Sequence, residues 1–328
     1  MEIAPFKELL KKLKLTLDSK GISDYQRMIG FRNGKAMTFN GLCGTVVKCE
    51  VGFECCVFGE EFIDQISKLD EDIELSFKDP IVHLKSGKLK AKFKTTPIVE
   101  FPDFIPKDRS ELIREDPLLF PGLESVAPFV GDKMNALGGI CIVQDRIYAC
   151  TEKTATRAML SKEISDIVHI PESAVESILK FGAPTMLFRA RDLVGAYYPD
   201  SVTITNQIVA RFPWEQVDTA FDVEGPEVTL PDDVKGVLKR ITPSVDDSGD
   251  ATLSGTQTHL TIATESASED MEWQGCPEPW SCRVNLKRFG EATKKLKVMR
   301  LGSLFTDDPR ALVFVGDNYL HAMGLQSE

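Results

Sequence analysis

The sequence predicts an α+β chain built from three copies of one unit, each ordered helix, strands, helix, strands. The doublets Phe101-Pro102 and Phe212-Pro213 lie 111 residues apart, and each closes a similar stretch of amphipathic segment, turn and alternating strands. A third such stretch runs from NLKRFGEATKKLKVMRLGSLF to RALVFVGDNYLHAMGL and ends near Met323-Gly324. Solenoid repeats are only about 20–50 residues long, so this longer period indicates repeated domains.

The first unit begins with a helix predicted over residues 5–20. Its apolar residues recur at the i, i+3, i+4, i+7 spacing of an amphipathic helix packed on a core. Short alternating runs follow, separated by the turns Asn33-Gly34 and Asn40-Gly41, which are typical of antiparallel hairpins. A second helix is predicted near 60–69, and a further hairpin completes the unit.

The other two units repeat this order. Their helices are predicted near 122–134, 171–181, 231–241 and 285–297. Their strands are predicted in GGICIVQDRIYACT, taken as a strand pair, and in THLTIATE and SCRVN. Polar connectors near 103–118 and 215–228 separate the units. We therefore expect three domains, over residues 1–114, 115–222 and 223–328.

Composition indicates an intracellular protein. None of the eight cysteines falls in a C-x-x-C pair, and we expect them to be reduced and mostly buried. No stretch reaches the roughly 18 apolar residues of a membrane span. The N-terminal sequence MEIAPFKELLKKLK lacks the apolar core of a signal peptide. We expect a cytoplasmic protein with no membrane partner.

Positive charge is concentrated in two predicted helices of an acidic chain. The formal net charge is −11, yet residues 5–20 carry +3 and residues 285–297 carry +4, which leaves −18 elsewhere. In the later helix, Leu286, Phe289, Thr293 and Leu296 face one side, and the cations face the other. For any one such helix, a polar face that only contacts solvent is a sufficient explanation of the lysines. Basic helices at repeated positions in the first and last units instead favour a surface that contacts phosphates.

The whole chain resembles the three-domain sliding clamps that serve as the β subunit of bacterial DNA polymerase III, together with their phage relatives. The resemblance rests on the order and spacing of GKLKAKFKTTPIVEFPDF, ARFPWE, HLTIAT and YLHAMGL. The chain is shorter than a typical clamp. It has CTEKTATR where the family usually has a Thr-Asp-Gly-His-Arg run, and Gly324 replaces a common proline. These departures indicate a divergent or phage-encoded member of the family.

The resemblance implies a homodimeric ring around double-stranded DNA, with the sheets outside and the helices lining the bore. Its implied partners are a DNA polymerase and a clamp loader, and it implies no enzymatic activity, cofactor or metal. The cations that it assigns to nonspecific phosphate contact are Lys7, Lys11, Lys12, Lys14, Lys133, Lys235, Lys239, Arg240, Lys287, Arg288, Lys294 and Lys295.

The resemblance also implies a groove that receives short apolar peptides of partner proteins. Carried over by position, its residues are Leu137, Thr151, Ala220, Met323 and Leu325. A flexible methionine suits a groove that accepts varied peptides. The alternative is that Met323 and Leu325 only close the core of the last strand.

Two other classes of function stay open on the sequence alone. The sequence contains no phosphate-binding loop, no G-x-S-x-G elbow and no H-E-x-x-H zinc helix. An enzyme would therefore need a site assembled from dispersed residues. A clamp-like scaffold that binds partners without encircling DNA is the second alternative. We expect the four histidines to be structural, and the loop from Trp273 to Trp280 to be local packing.

Overall fold

A computed structural model describes residues 1–131, 136–246, 248–274, 278–301, 304 and 311–325. The chain folds into two compact units. Unit one comprises Met1–Phe120 and Lys162–Val209, and unit two comprises Pro121–Ser161 and Ala210–Glu328. Unit one extends across the predicted domain boundary at 114 and unit two across the one at 222. The three-domain division therefore stays a prediction.

The described residues contain seven α-helices and 21 β-strands. The helices are α1 (Ile3–Lys14), α2 (Gly59–Ser67), α3 (Leu119–Val126), α4 (Glu172–Phe181), α5 (Trp214–Thr219), α6 (Val234–Ile241) and α7 (Leu286–Lys295). The strands are β1 (Met28–Arg32), β2 (Lys35–Phe39), β3 (Cys43–Lys48), β4 (Cys55–Phe58), β5 (Glu74–Lys78), β6 (Ile81–Ser86), β7 (Leu89–Thr96), β8 (Ser110–Arg114), β9 (Gly139–Cys150), β10 (Thr154–Pro171), β11 (Met186–Ala190), β12 (Leu193–Tyr197), β13 (Ser201–Asn206), β14 (Glu227–Thr229), β15 (Asp250–Gly255), β16 (His259–Ala263), β17 (Ser268–Glu272), β18 (Trp280–Asn285), β19 (Val298–Arg300), β20 (Ala311–Val315) and β21 (Tyr319–Gly324).

Helix α1 ends at Lys14, so the predicted helix over residues 5–20 is too long. The amides of Leu15 and Thr16 bond to carbonyls three residues back, both at 3.2 Å, which tightens and closes the last turn. The buried Thr16 hydroxyl then lies 2.8 Å from that of Thr38 on β2. This contact turns the chain onto the sheet.

The other predicted helices are present with shifted ends. Pro171 precedes α4 as its N-cap residue. Helix α3 starts at Leu119 and continues as a 3-10 turn over Ala127–Phe129. The rest of the predicted 122–134 segment lies partly outside the described residues. Sequence reasoning missed α5, which occupies part of the segment predicted to be a connector.

Strand element β9 contains a change of direction that fits the predicted strand pair. Gln144, near its middle, has a left-handed backbone with φ of 53°. Cys141 and Cys150 lie near its two ends, yet both belong to one cluster of buried residues. The left-handed residue and the shared cluster both indicate that the element folds back near Gln144.

The strands of each unit form antiparallel sheets. Unit one contains an 11-stranded sheet with the order β5-β6-β7-β4-β1-β2-β3-β13-β12-β11-β8. Unit two contains a four-stranded sheet, β17-β16-β15-β18, and a six-stranded sheet, β14-β19-β20-β21-β10-β9, in which β10 continues into unit one. The segment β4-β1-β2-β3 has the same order as β18-β15-β16-β17, as expected for repeats of one unit.

Besides a copy at Thr256–His259 that joins β15 to β16, the same tight turn occurs at one place in each predicted unit. It spans Asn40–Cys43, Thr151–Thr154 and Thr264–Ala267. In each, the last carbonyl accepts from the first amide, at 3.0, 2.8 and 2.8 Å. In each, the first side chain also accepts from the last amide, at 2.7, 3.0 and 3.1 Å. These turns give a common reference point for comparing the three repeats.

The helices bury their apolar faces on the sheets and leave their polar faces outside. Phe6 of α1 packs edge-on against Phe62 of α2, with ring centroids 6.3 Å apart. Phe289 of α7 packs against Phe314 of β20 at 5.7 Å. Because such aromatic packing fixes each helix on its sheet, the charged side chains are held on the opposite face.

The seven cysteines among the described residues are free and buried, as predicted. Burial raises the pKa of the Cys55 and Cys141 thiols to about 12. Trp273 and Trp280 are also buried and pack edge to face, with ring centroids 6.1 Å apart. The predicted local packing of this loop is confirmed for its two ends.

Candidate functional site

The four cations of α1 that we assigned to phosphates are held differently from one another. Lys7 lies 3.8 Å from Asp70, Lys11 lies 2.6 Å from Glu8, and Lys12 lies 2.9 Å from Asp200. Lys14 is exposed and has no ion-pair partner within the described ranges. Surface ion pairs contribute little stability, so these lysines can exchange a carboxylate for a phosphate.

Lys12 also joins α1 to α4. Its Nζ lies 5.8 Å from the ring centroid of Phe181, the last residue of α4. Partial burial raises the pKa of Asp200, but hydrogen bonds from Lys12 and Ser201 outweigh it, and the net pKa is lowered. Lys12 therefore holds two helices together, which makes it less available to DNA than Lys14.

Helix α7 has the two faces that the sequence predicts. Leu286, Phe289, Ala292 and Thr293 are buried. Its cations, Lys287, Arg288, Lys294 and Lys295, lie on the other side. Two of these have partners: Lys294 pairs with Glu291 at 2.7 Å, and Lys295 donates to the carbonyl of Glu124 at 2.8 Å. Partial burial lowers the pKa of Lys295, against an opposing effect of Glu124.

Helix α6 adds a third basic face beside α7. Lys235 and Lys239 are exposed, and Lys235 donates to the Lys294 carbonyl at 3.2 Å. Arg240 is held by Glu269, with Nε–O distances of 3.0 and 3.1 Å, and by Asp233 at 2.9 Å. These hydrogen bonds, with that to Glu269 first, raise the pKa of Arg240. The guanidinium stays charged, and the two carboxylates offset its positive charge locally. Among the described residues, it is the least available of the predicted phosphate contacts.

The middle repeat supplies little positive charge. Lys133 lies outside the described residues. Lys180 of α4 pairs with Glu176 at 2.6 Å, and the helix has a net charge of −1. Among the described helices, the basic faces are therefore that of α1 in unit one and those of α6 and α7 in unit two.

The predicted groove residues divide between two faces of β21. Leu137 and Ala220 pack against a connector cluster of buried residues from β9, the α5 region and β21, which includes Tyr148, Phe212 and Ala322. Met323 and Leu325 instead pack with the core beneath α6 and α7. Met323 is 0% exposed. Its proposed role in binding peptides stays a prediction, and the alternative of core packing gains support.

Thr151 lies beside the connector cluster, in the turn between β9 and β10. Its hydroxyl accepts from the Lys153 and Thr154 amides at 3.1 and 3.0 Å. These bonds orient the turn, and the Lys153 carbonyl accepts from the Gly324 amide at 2.8 Å. The turn and the end of β21 are thus joined.

An ion-pair network that sequence reasoning missed fixes α5 beside this cluster. Arg146 and Arg157 each lie 2.6 Å from Asp218, and the Tyr148 hydroxyl donates to Asp218 at 2.9 Å. Partial burial raises the pKa of Asp218, but hydrogen bonds from Arg157 and Tyr148 dominate and lower it. Burial raises the pKa of Tyr148 to about 12. The network ties the connector to β9 and β10.

His321 of β21 is fully buried, and neither ring nitrogen has a hydrogen-bond partner within the described part of the chain. Its ring centroid lies 4.2 Å from that of Phe129. Burial lowers the pKa of His321 to about 4. The histidine is structural, as predicted.

Metal sites and membrane-spanning helices are two other features that bear on function. The described residues contain no group of three or more His, Cys, Asp or Glu placed to hold a metal ion. No described helix combines the length and apolar character needed to cross a bilayer.

Comparison with solved structures identifies the fold. No family model and no curated protein sequence matches the chain. The Helicobacter pylori β clamp bound to a DNA ligase peptide matches with a TM-score of 0.82 at 19% identity, covering 100% of this chain and 99% of that one. The β subunit of DNA polymerase from Streptococcus pyogenes gives 0.85 at 14% identity, and Caulobacter crescentus pol III β gives 0.83 at 14%, both with the same coverage. The chain has the fold of the bacterial β clamps.

Proposed function

We propose that this protein is a DNA sliding clamp, a non-enzymatic processivity factor that encircles duplex DNA and tethers a DNA polymerase. The observation that carries the proposal is the presence of three basic helices, α1, α6 and α7, on a chain that matches clamp structures over its full length. An acidic chain with its cations gathered on these helices suits a ring that attracts DNA inside and repels it outside.

The mechanism rests on topology. A closed ring cannot leave DNA sideways, so a bound polymerase stays at high effective concentration near the primer end. Lysine and arginine contacts to phosphates carry no sequence information and allow sliding. Two chains of three repeats would supply the six domains of the ring.

Partner binding is proposed at the connector cluster. The Helicobacter pylori clamp is bound to a DNA ligase peptide, and we infer that this chain receives peptides of its polymerase and clamp loader in the same way. The apolar residues Leu137 and Ala220 and the adjacent Thr151 turn support this placement. We expect the protein to act in the cytoplasm, that of the host if the gene is phage-encoded.

Retention on circular DNA tests the proposal. The protein is moved from high to low salt in the presence of nicked circular plasmid, so that open rings close around it, and is then gel-filtered. A clamp co-elutes with the circle and is lost after a single restriction cut, because it slides off the ends. Equal retention on cut and uncut plasmid contradicts encirclement.

The same experiment separates the alternatives. A scaffold that does not encircle DNA co-elutes with circular and cut plasmid to the same extent, and only as far as its equilibrium binding to DNA allows. An enzyme with a dispersed site gives no topological dependence, and its DNA affinity does not depend on the basic helices.

A further inference from the structure

An open groove lies in unit one, where the first connector crosses the sheet. Its volume is about 620 Å³, within the range of pockets that bind small ligands and short peptides. All of its lining residues belong to unit one. The main apolar residues are Phe39, Leu42, Phe104, Ile105, Leu193 and Ile204. We call this the first-connector groove.

An aromatic stack fixes one wall of the groove. The Phe104 ring of the connector lies parallel to the Phe39 ring of β2, with centroids 5.0 Å apart and an angle of 9° between the planes. The Phe104 ring also lies directly on the backbone of Gly44 in β3, where any Cβ atom would overlap it. The connector is therefore held in place before a ligand arrives, which lowers the entropic cost of binding.

The groove and the connector cluster occupy equivalent places in the repeats. Leu42 and Lys153 are each the third residue of the recurring tight turn. Their carbonyls accept from the amides of Asn206 and Gly324, at 3.2 and 2.8 Å. Each connector also begins with a Phe-Pro doublet. The first-connector groove is therefore the counterpart, within unit one, of the surface at which we proposed partner binding in unit two.

Larger apolar side chains line the first-connector groove at two of the matched positions. Two residues before the matched amides, Ile204 stands where the connector cluster has Ala322. In the tight turn, Leu42 stands where the other turn has Lys153. The Leu42 side chain is 60% exposed. It therefore gains from being covered by an apolar side chain of a partner.

The connector offers backbone groups that are free to bind another chain. Residues 102–108 make no backbone hydrogen bond within the described structure. In the free protein, water satisfies these amides and carbonyls. An extended peptide that lies along the connector can replace this water with its own main chain, as in other cases of strand addition.

The charges at the rim balance one another. Asp103 lies 3.8 Å from Arg32. The other four charges have no ion-pair partner among the described residues, and they are Lys107, Asp108, Arg191 and Asp192. Two cations and two anions give a polyanion such as DNA no net attraction. This balance suits a ligand without net charge.

We propose that the first-connector groove is a second peptide-binding site of this chain. Its occupant is a short, extended and mainly apolar segment of a partner protein, with no net charge. Alternate residues of an extended chain face the same side. Apolar side chains two residues apart can therefore contact Leu42 and Leu193 while the main chain pairs with the connector. The inference goes beyond the proposed function, which places partner binding at the connector cluster alone, because two grooves let one chain hold two partners.

Fluorescence anisotropy with the full-length protein tests the site. The probes are capped, labelled heptapeptides Gly-Ser-X-Ser-X-Ser-Gly in which each X is Leu, Met or Phe. We expect at least one to bind saturably, with less than about a twofold change between 50 and 200 mM salt. The same peptide with serine at both X positions should not bind.

A matched pair of variants tests the groove residues. L42E/I105E places two carboxylates in the groove and should raise the peptide dissociation constant at least about tenfold. The control I22E/I167E makes the same charge change at two exposed isoleucines outside the groove and should bind like the wild type. Equal affinity of the two variants overturns the site. A dimer that dissociates only in L42E/I105E would show that a second copy covers the groove, which also overturns it.

Photo-cross-linking locates the peptide in the wild-type protein, so it does not depend on how the variants fold. The best-binding peptide carries a benzophenone in place of its central serine. Label on tryptic fragments 36–48 or 95–107, displaced by unlabelled peptide, supports the site. Label confined to fragment 212–235 overturns the second site but supports the connector cluster. A lack of saturable binding by every probe overturns the second site, whereas encirclement is judged separately by retention on circular DNA, which L42E/I105E should leave unchanged.

Discussion

Removing the two unpaired cations of α7 should lower the salt dependence of DNA binding. Lys287 and Arg288 have no ion-pair partner in the described structure, and the Arg288 amide is held by the Asn285 side chain at 3.2 Å. Their side chains extend from a face opposite the buried Leu286 and Phe289. The variant K287A/R288A should therefore fold normally while losing phosphate contacts.

The magnitude follows from counterion release. Each phosphate contact contributes about 0.9 to the slope of log affinity against log salt on duplex DNA. Two cations in each of two chains then contribute at most about 3.6 to the slope. Between 50 and 200 mM salt, the wild type should lose about 100-fold more affinity than the variant.

The assay is fluorescence anisotropy of a labelled duplex at several salt concentrations, with two unrelated sequences. Both sequences should give the same slope, because phosphate contacts do not read bases. K78A/K107A removes the same charge from β5 and the first connector, and it should leave the slope unchanged. Equal slopes of log affinity against log salt for all three proteins would show that the cations of α7 face solvent and do not contact DNA.

Three further predictions concern stability and the groove. Protonation of buried His321, whose pKa is about 4 against 6.5 unfolded, should cost about 3 kcal/mol as pH falls from 6.5 to 4. This contribution to stability is fully present above pH 6.5. When the free energy of unfolding in urea is plotted against pH, H321L should lack this part of the decline between pH 6.5 and 4. The same pH dependence for H321L and the wild type would contradict the assignment. D218N should destabilise the chain by about 1–3 kcal/mol in urea, since it weakens charged hydrogen bonds to two arginines; no loss would show that the network does not fix α5. Truncation after Ala322 removes fully buried Met323 and should cost about 2–5 kcal/mol. A truncated dimer with an unchanged melting temperature that fails to bind polymerase peptide would instead place Met323 in the groove.

Periodic features of the fold can be predicted from the sequence. The helices α1, α2, α4, α6 and α7 are all expected, because apolar residues at helical spacing report directly on a buried face. The two-faced charge distribution of α7 is predictable for the same reason. Helix ends are less predictable. That of α1 depends on the long-range contact between Thr16 and Thr38, which no local pattern encodes.

The site is harder to predict because it depends on which strand face a residue occupies. Met323 and Leu320 are three residues apart, yet they pack with different clusters, since alternate residues of β21 point in opposite directions. The Asp218 network joins residues up to 72 positions apart, so its members look like ordinary surface charges in the sequence. The one signal that the sequence offers is Asp218, an acidic residue that lies between the apolar residues Phe212 and Phe221.

The mass of the full chain in solution tests the central claim most directly. Sedimentation equilibrium at micromolar concentration and low salt should give twice the chain mass of 36.4 kDa, because two chains of three repeats complete the ring. A mass equal to one chain at every concentration, or to three chains, would contradict a two-chain clamp.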